Sequence, residues 1–249
     1  MITKAQIKQI QSLKYARDRA EEGLFVVEGV KMVEELLKSS FEIRYLFATK
    51  DWEKPADMRI VPLEIIEEWE LERISSLTSP NKVLAVVKIP ATNLPGNLND
   101  ELILLLDQIS DPGNMGTIIR TAEWFGISRV VASDDSVDFW NPKVVQASMG
   151  SVLRMKLNSA SISDFLENNR QFPVYGTLLD GDELDKINLT SSGIIIIGNE
   201  SHGISKNIQS YITRKITIPA AKTSESESLN ASIATAIVCY EFRKQFPLA

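Results

Sequence analysis

The sequence predicts an α/β fold built on a mostly parallel sheet, with a smaller α/β unit ahead of it. Three segments carry the prediction. Gly193-Ile-Ile-Ile-Ile-Gly198 sets four β-branched residues directly before a polar, glycine-containing loop, the pattern of a strand buried on both faces beneath helices. Leu102-Ile-Leu-Leu-Leu106 runs in the same way into Asp107-Gln-Ile-Ser-Asp-Pro-Gly113-Asn114, and Lys215-Ile-Thr-Ile218 into Pro219 and a serine-rich loop. Ligands of open α/β sheets bind beyond the carboxyl ends of the strands, so three such loops point to one shared site.

Taken in order along the chain, helical periodicity marks 3–20, 30–38 and 63–75, and short apolar runs mark strands near 24–28, 43–47 and 83–88. Two prolines, a glycine and three asparagines within 89–100 interrupt both periodicities. They separate an expected domain at 1–92 from one at 100–249. Beyond them, strands near 102–107, 129–133, 174–178, 194–198 and 215–218 alternate with helices, the signature of a parallel sheet. Over 113–126, Met115, Ile118, Ile119, Ala122 and Phe125 form an apolar helical stripe, with Arg120 roughly opposite. The last helix has a capping box in Ser224 and Glu227, and from Leu229 to Phe242 it is apolar on nearly every face. Such a helix expects cover on both sides, from its own domain or from a second subunit.

The chain has 249 residues, 44% apolar and 24% charged, ordinary for a globular protein of one large or two small domains. A net charge of -6 argues against indiscriminate nucleic-acid binding but allows a local basic face. One cysteine leaves no intramolecular disulfide, and with one histidine it argues against a zinc site; no metal is expected. Cys239 reads as inert packing in an apolar helix. No apolar stretch approaches the roughly 20 residues of a membrane span. The opening Met-Ile-Thr-Lys-Ala-Gln lacks a secretory signal, so the expected location is cytoplasmic.

The sequence has no G-x-x-x-x-G-K-[ST], G-x-G-x-x-G or G-x-S-x-G, which removes the main support for a P-loop, an ordinary dinucleotide or an α/β-hydrolase enzyme. Nothing places a nucleophile beside His202. Arg120 reads either as a ligand-facing cation or as a surface arginine paired with Glu123 at i+3. Gly113 and Asn114 stand just before a helix, where Asn caps and free amides hold an anion. Glu200 and His202 follow the most buried strand, as site residues or as a polar loop in which Gly198 and Gly203 supply unusual backbone angles. Asn230 brings an amide into an apolar helix, where it needs partners. Asp180, Asp182, Glu183 and Asp185 around Gly181 read as a solvated turn ahead of a magnesium cluster.

Asn114-x-Gly116-x-x-x-Arg120, then Gly198-Asn199-Glu200-x-x-Gly203-Ile204, then Ile218-Pro219 with Ser228-Leu229-Asn230-Ala-Ser232 resemble the three ordered motifs of the SpoU/TrmH family of RNA ribose 2′-O-methyltransferases. The resemblance covers 102–246 and implies a trefoil-knotted α/β domain of the SPOUT class, usually a homodimer. The knot rests on the resemblance alone, since periodicity does not reveal one and chains seldom thread loops. The implied reaction carries a methyl group from S-adenosylmethionine to a ribose 2′-hydroxyl. The implied catalytic residues are Arg120, Asn114, Glu200 and Asn230, with Arg120 orienting the target phosphate and stabilising the developing alkoxide. Thr177, Gly198, Ile218, Ser228 and Leu229 are implied to line the cofactor pocket.

Lys14-x-x-Arg17, Gly23-x-Phe25-x-Val27-Glu28-Gly29 and Val33-Glu-Glu-Leu-Leu37 are similar to the ribosomal-protein-like substrate-binding domain that precedes many of these catalytic domains. That similarity implies RNA contacts through Lys14, Arg17 and Arg19, with Lys4 and Lys8 on the same basic helix. By analogy it favours 23S ribosomal RNA over tRNA. The alternatives are a non-catalytic RNA-binding or ribosome-assembly factor that keeps the fold, and a tRNA ribose methyltransferase. One departure stands out: Ala220-Ala-Lys-Thr-Ser-Glu-Ser-Glu227 is longer and more acidic than the family's connection, and lacks its methionine and glycine.

Overall fold

The structure, a computed structural model, describes residues 1–55, 61–91, 94, 98 and 101–247. Most of the boundary stretch at 89–100 lies outside the described residues. The first elements are α1 (Lys4–Ser12), α2 (Ala16–Glu22), β1 (Leu24–Glu28), α3 (Val30–Lys38), β2 (Ile43–Ala48), β3 (Leu63–Ile65), α4 (Glu68–Ile74) and β4 (Val83–Lys88). Then come β5 (Leu102–Leu106), α5 (Pro112–Trp124), β6 (Arg129–Ala132), α6 (Pro142–Ala147), β7 (Lys156–Ser159), α7 (Ile162–Glu167) and β8 (Val174–Glu183). The chain closes with β9 (Gly193–Ile197), α8 (Lys206–Gln209), β10 (Arg214–Thr217) and α9 (Ala231–Gln245). Two compact units result: Met1–Ala91 with Asp138–Arg154, and Thr92–Val137 with Met155–Ala249.

The first unit holds a four-stranded sheet in the order β1-β4-β2-β3, antiparallel except for the β2/β3 pair. All five residues of β1 are buried. Leu24 and Val26 join Ile7, Ile10, Leu71 and Ile74 in one core cluster. On Phe25 rests Trp140 of the 138–154 segment, with ring centroids 4.6 Å apart. The helix expected over 3–20 is two helices. A capping box of Thr3 and Gln6 starts α1, Tyr15 is extended, and Gly23 at φ 64° closes α2. The helix expected over 63–75 is likewise corrected: Leu63–Ile65 pairs with β2 as an edge strand, and a capping box of Glu67 and Glu70 starts α4. At 63–65 the pairing with β2 overrides a helical pattern.

Arg19 is also corrected as an RNA contact. It is 2% exposed, and its guanidinium grips both carboxylate oxygens of Asp138, with Nε 3.0 Å from Oδ1. Its Nη1 donates to the Leu13 carbonyl at 2.7 Å, satisfying an acceptor left open where α1 ends. A side chain used in this way has no surface to offer RNA. Lys4, Lys8, Lys14 and Arg17 are exposed, and Arg17 is 3.3 Å from Glu21.

The second unit is the expected parallel sheet: six strands in the order β10-β8-β9-β5-β6-β7, every pair parallel. β5 and β9 lie side by side with every residue buried, and Leu106 pairs with Ile197, so their polar loops emerge together. β7, which no sequence pattern marks, is a four-residue edge strand that buries only Leu157 and Asn158. The stretch 180–183, read as a turn, is strand: the β8/β10 ladder jumps from Gly176–Lys215 to Asp182–Ile216. Residues 177–181 therefore leave the ladder. Gly181 serves close approach, since a Cβ there would sit 2.5 Å from the Ile216 carbonyl carbon.

The last helix starts later than expected, at Ala231, and Asn230 is its cap. Ser224 and Glu227 precede it in a loop, so their capping box is not formed. Thr235, Val238, Cys239 and Phe242 of α9 are buried, and burial pushes the Cys239 thiol up to about 12, which leaves it unreactive. The opposite face is open. Ile233, Ile237 and Tyr240 are 52%, 37% and 57% exposed, and Trp124 of α5 is 81% exposed. Among the described residues, no helix is long and apolar enough to cross a membrane.

Candidate active site

The site is assembled at the amino-terminal end of α5. Asp111 caps this helix, its side chain accepting from the Asn114 amide at 2.8 Å, and Pro112 fills the first turn. Asn114 is thus not the cap that the sequence suggested, and its side chain is available for other contacts. Asn114 Nδ2 donates to Glu200 Oε1 in a short contact, and its Oδ1 accepts from Asn230 Nδ2 at 2.9 Å. Asn230 Oδ1 in turn accepts from the backbone amide of Ser232 at 2.9 Å at the start of α9. Residues 86 and 116 positions from Asn114 are thereby tied to it, and both of its amide ends are satisfied. Ser228 Oγ closes the group by donating to the Glu200 carbonyl at 3.3 Å.

The loop that presents Glu200 is held from several directions. Asn199 and Gly203 exchange backbone hydrogen bonds at 3.1 and 2.9 Å, and Gly203 sits at φ 67°. Asn199 Nδ2 donates to the Gln108 carbonyl at 2.8 Å, while its Oδ1 accepts from the Ser201 amide at 2.8 Å. Buried Asp107 accepts from both the amide and the hydroxyl of Ser205 at 2.7 Å. Gly198 has a different role from the one expected. A Cβ there would fall 2.3 Å from the Gly203 carbonyl carbon and 2.4 Å from the Ile204 nitrogen, so glycine permits two backbone segments to touch. His202 is exposed, its Nδ1 3.3 Å from Asn199 Oδ1, and it belongs to the loop's own hydrogen bonding.

Beside this group lies a cavity of about 460 Å³, bounded by 177–180, the 197–204 loop, the end of β10 and 227–234. Thr177, Gly198, Ile218, Ser228 and Leu229 all line it, and Glu200 belongs both to the cavity wall and to the asparagine group. Its volume is in the range of pockets that hold nucleotide-sized ligands. Ile197, Ile204 and Ile216 make part of the wall apolar. Thr177 Oγ1 donates to the Ile196 carbonyl at 2.9 Å. At the rim, the Lys215 ammonium 2.8 Å from Asp180 holds that carboxyl below the usual carboxylate range.

Arg120 stands apart. It is exposed on α5, six residues beyond Asn114, which is about 9 Å of helix rise and about 120° around the axis. No hydrogen bond or ion pair of its guanidinium is found among the described residues. Asp107, Asp111 and Asn199, which position the site, were missed in the sequence. Asp111 had a legible signal in Asp-Pro at a helix start. Asp107 and Asn199 gave none, because their partners are distant in the chain.

A parallel α/β domain whose adjoining strands end at a cavity beside this asparagine–carboxylate group defines the class. The chain belongs to the SpoU rRNA Methylase family, whose model matches residues 101–240. An MRM3-like substrate binding domain matches residues 4–85. The chain is similar to the Bacillus subtilis 23S rRNA (guanosine(2553)-2′-O)-methyltransferase RlmP, at 27% identity over 95% of each chain. Among solved structures it is similar to a TrmH-family protein from Porphyromonas gingivalis, with TM-score 0.87 and 39% identity over 98% of this chain and 99% of that one. It is also similar to the SpoU methyltransferase AviRb from Streptomyces viridochromogenes in complex with AdoMet, with TM-score 0.86 and 26% identity over 98% of each.

Proposed function

We propose that this protein transfers a methyl group from S-adenosylmethionine to a ribose 2′-hydroxyl of structured RNA, and that the RNA is 23S ribosomal RNA. The observation that carries the reading is the junction of Asn114, Glu200 and Asn230 at the edge of the cavity. The similarity to RlmP, named for 23S rRNA, favours ribosomal over transfer RNA.

The cavity suits the cofactor. Its size is sufficient, its isoleucines suit a purine face, and Gly198 lets the strand end and the 203–204 backbone pack together as one wall of it. S-adenosylmethionine supplies an electrophilic methyl on a positively charged sulfur. Thr177, Gly198, Ile218, Ser228 and Leu229 hold it. Asn114, held by Glu200, and Asn230, held by Asn114, position the ribose for in-line attack. Arg120 orients the neighbouring phosphate and stabilises negative charge as it develops on the 2′ oxygen, which suits an exposed guanidinium with its donors available.

In this reading residues 1–92 bind the RNA, with Lys14 and Arg17 on the contact face, and residues 100–249 are the methyltransferase domain with the trefoil knot of its class. The protein works as a cytoplasmic homodimer. The exposed apolar face of Ile233, Ile237 and Tyr240 on α9, with Trp124 on the adjoining α5, supports a second copy as its cover.

Mapping ribose methylation in RNA from cells with and without the gene tests the proposal. The expected result is loss of a 2′-O-methyl mark in 23S RNA that the purified protein restores; unchanged marks in all RNA classes sink it. Gly198→Ala is expected to weaken S-adenosylmethionine binding about 10- to 100-fold, since the new methyl displaces backbone. Calorimetry showing wild-type affinity in this variant removes Gly198 from the pocket.

A further inference from the structure

The acidic connection before Ser228 has no part in the reaction described above, yet its last residue reaches the cavity. We propose that Glu227 makes the cavity select the charged cofactor over its neutral product, so that S-adenosylmethionine is held in preference to S-adenosylhomocysteine. The inference rests on the cofactor reading of the cavity and adds a specificity determinant to it.

Among the described residues, three carboxylates line the cavity, those of Asp180, Glu200 and Glu227, and no lysine or arginine does. They are not equivalent. Asp180 is neutralised by Lys215 at 2.8 Å, and Glu200 is engaged by the Asn114 amide as part of the catalytic group. Glu227 is exposed, and no hydrogen bond or ion pair to it is found among the described residues. Its charge therefore acts on whatever enters the cavity.

The two ligands share an adenosine, an ammonium and a carboxylate. They differ by a methyl group and one positive charge, sulfonium in the cofactor and neutral thioether in the product. Contacts to the shared parts cancel in a comparison of the two affinities, apart from the methyl group's own packing. A carboxylate on the wall does not cancel, because it attracts the sulfonium and has no corresponding charge to attract in the thioether. The same asymmetry favours exchange of product for fresh cofactor after each transfer. At an open cavity mouth the solvent dielectric is high, so the effect is a modest factor.

Calorimetry on the full-length protein with each ligand separately tests this. Glu227→Gln is expected to weaken S-adenosylmethionine roughly three- to tenfold while S-adenosylhomocysteine stays within about twofold of wild type. The wild-type preference should shrink as salt is raised. Glu225→Gln makes the same charge change two positions away, outside the cavity lining, and is expected to leave the ratio unchanged. Equal weakening of both ligands by Glu227→Gln overturns the proposal in favour of a packing role. An unchanged ratio overturns it, as does a Glu225→Gln effect of the same size. Wild-type protein that binds neither ligand overturns the cofactor reading itself, and this inference with it.

Discussion

Arg120→Ala is expected to keep the fold and S-adenosylmethionine affinity of the wild type while lowering single-turnover methyl transfer about 100- to 1000-fold, the usual loss for one donor at a developing oxyanion. The fold is safe because the side chain is exposed on α5 and alanine is the better helix former. Cofactor affinity is safe because Arg120 does not line the cavity. Arg120→Lys should recover only part of the rate, since lysine keeps the charge without the two-pronged fork that matches a phosphate. Wild-type turnover in Arg120→Ala would remove the residue from catalysis. A matching loss of cofactor affinity would assign it to binding.

Arg19→Ala is expected to destabilise the first unit by about 3 kcal/mol, toward the lower end for a broken buried pair because Asp138 is partly exposed. Three hydrogen bonds are lost, and both the Asp138 carboxylate and the Leu13 carbonyl need new partners. Thermal unfolding reads the change as a midpoint lowered by roughly 6 to 12 °C. RNA affinity, measured below the transition, should be unaltered. A variant with unchanged midpoint and weakened RNA binding would return Arg19 to the surface role that its place among Lys4, Lys8, Lys14 and Arg17 first suggested. The error has a simple origin. A helical pattern shows where a basic residue stands along a helix, and it does not show a carboxylate 119 positions away.

The central strands were legible because β5 and β9 are buried on both faces and so are written as unbroken apolar runs. β7 was not, since an edge strand needs few inward residues and Lys156-Leu-Asn-Ser159 supplies too weak a pattern. Leu63–Ile65 carried helical spacing and became strand because β2 offered it a partner. The acidic residues at 180–183 resembled a turn by composition, yet a ladder with β10 resumes there. Each of these differences is a case of non-local pairing prevailing over local preference.

The site divides in the same way. Asn114, Arg120, Glu200 and Asn230, with the five residues that line one cavity, came as a set from the resemblance of three ordered motifs to the SpoU/TrmH family. What the sequence itself determined were the strand-end loops and helix starts that carry those motifs, because they are encoded by residues close together in the chain. Only the tertiary structure decided that Asp111 rather than Asn114 caps α5, that Asn114 joins Glu200 to Asn230, and that Arg19 is buried. The physical reason is range. Caps and periodicities act over a few residues, whereas a hydrogen bond across 86, 116 or 119 positions exists only once the sheet has brought its loops together.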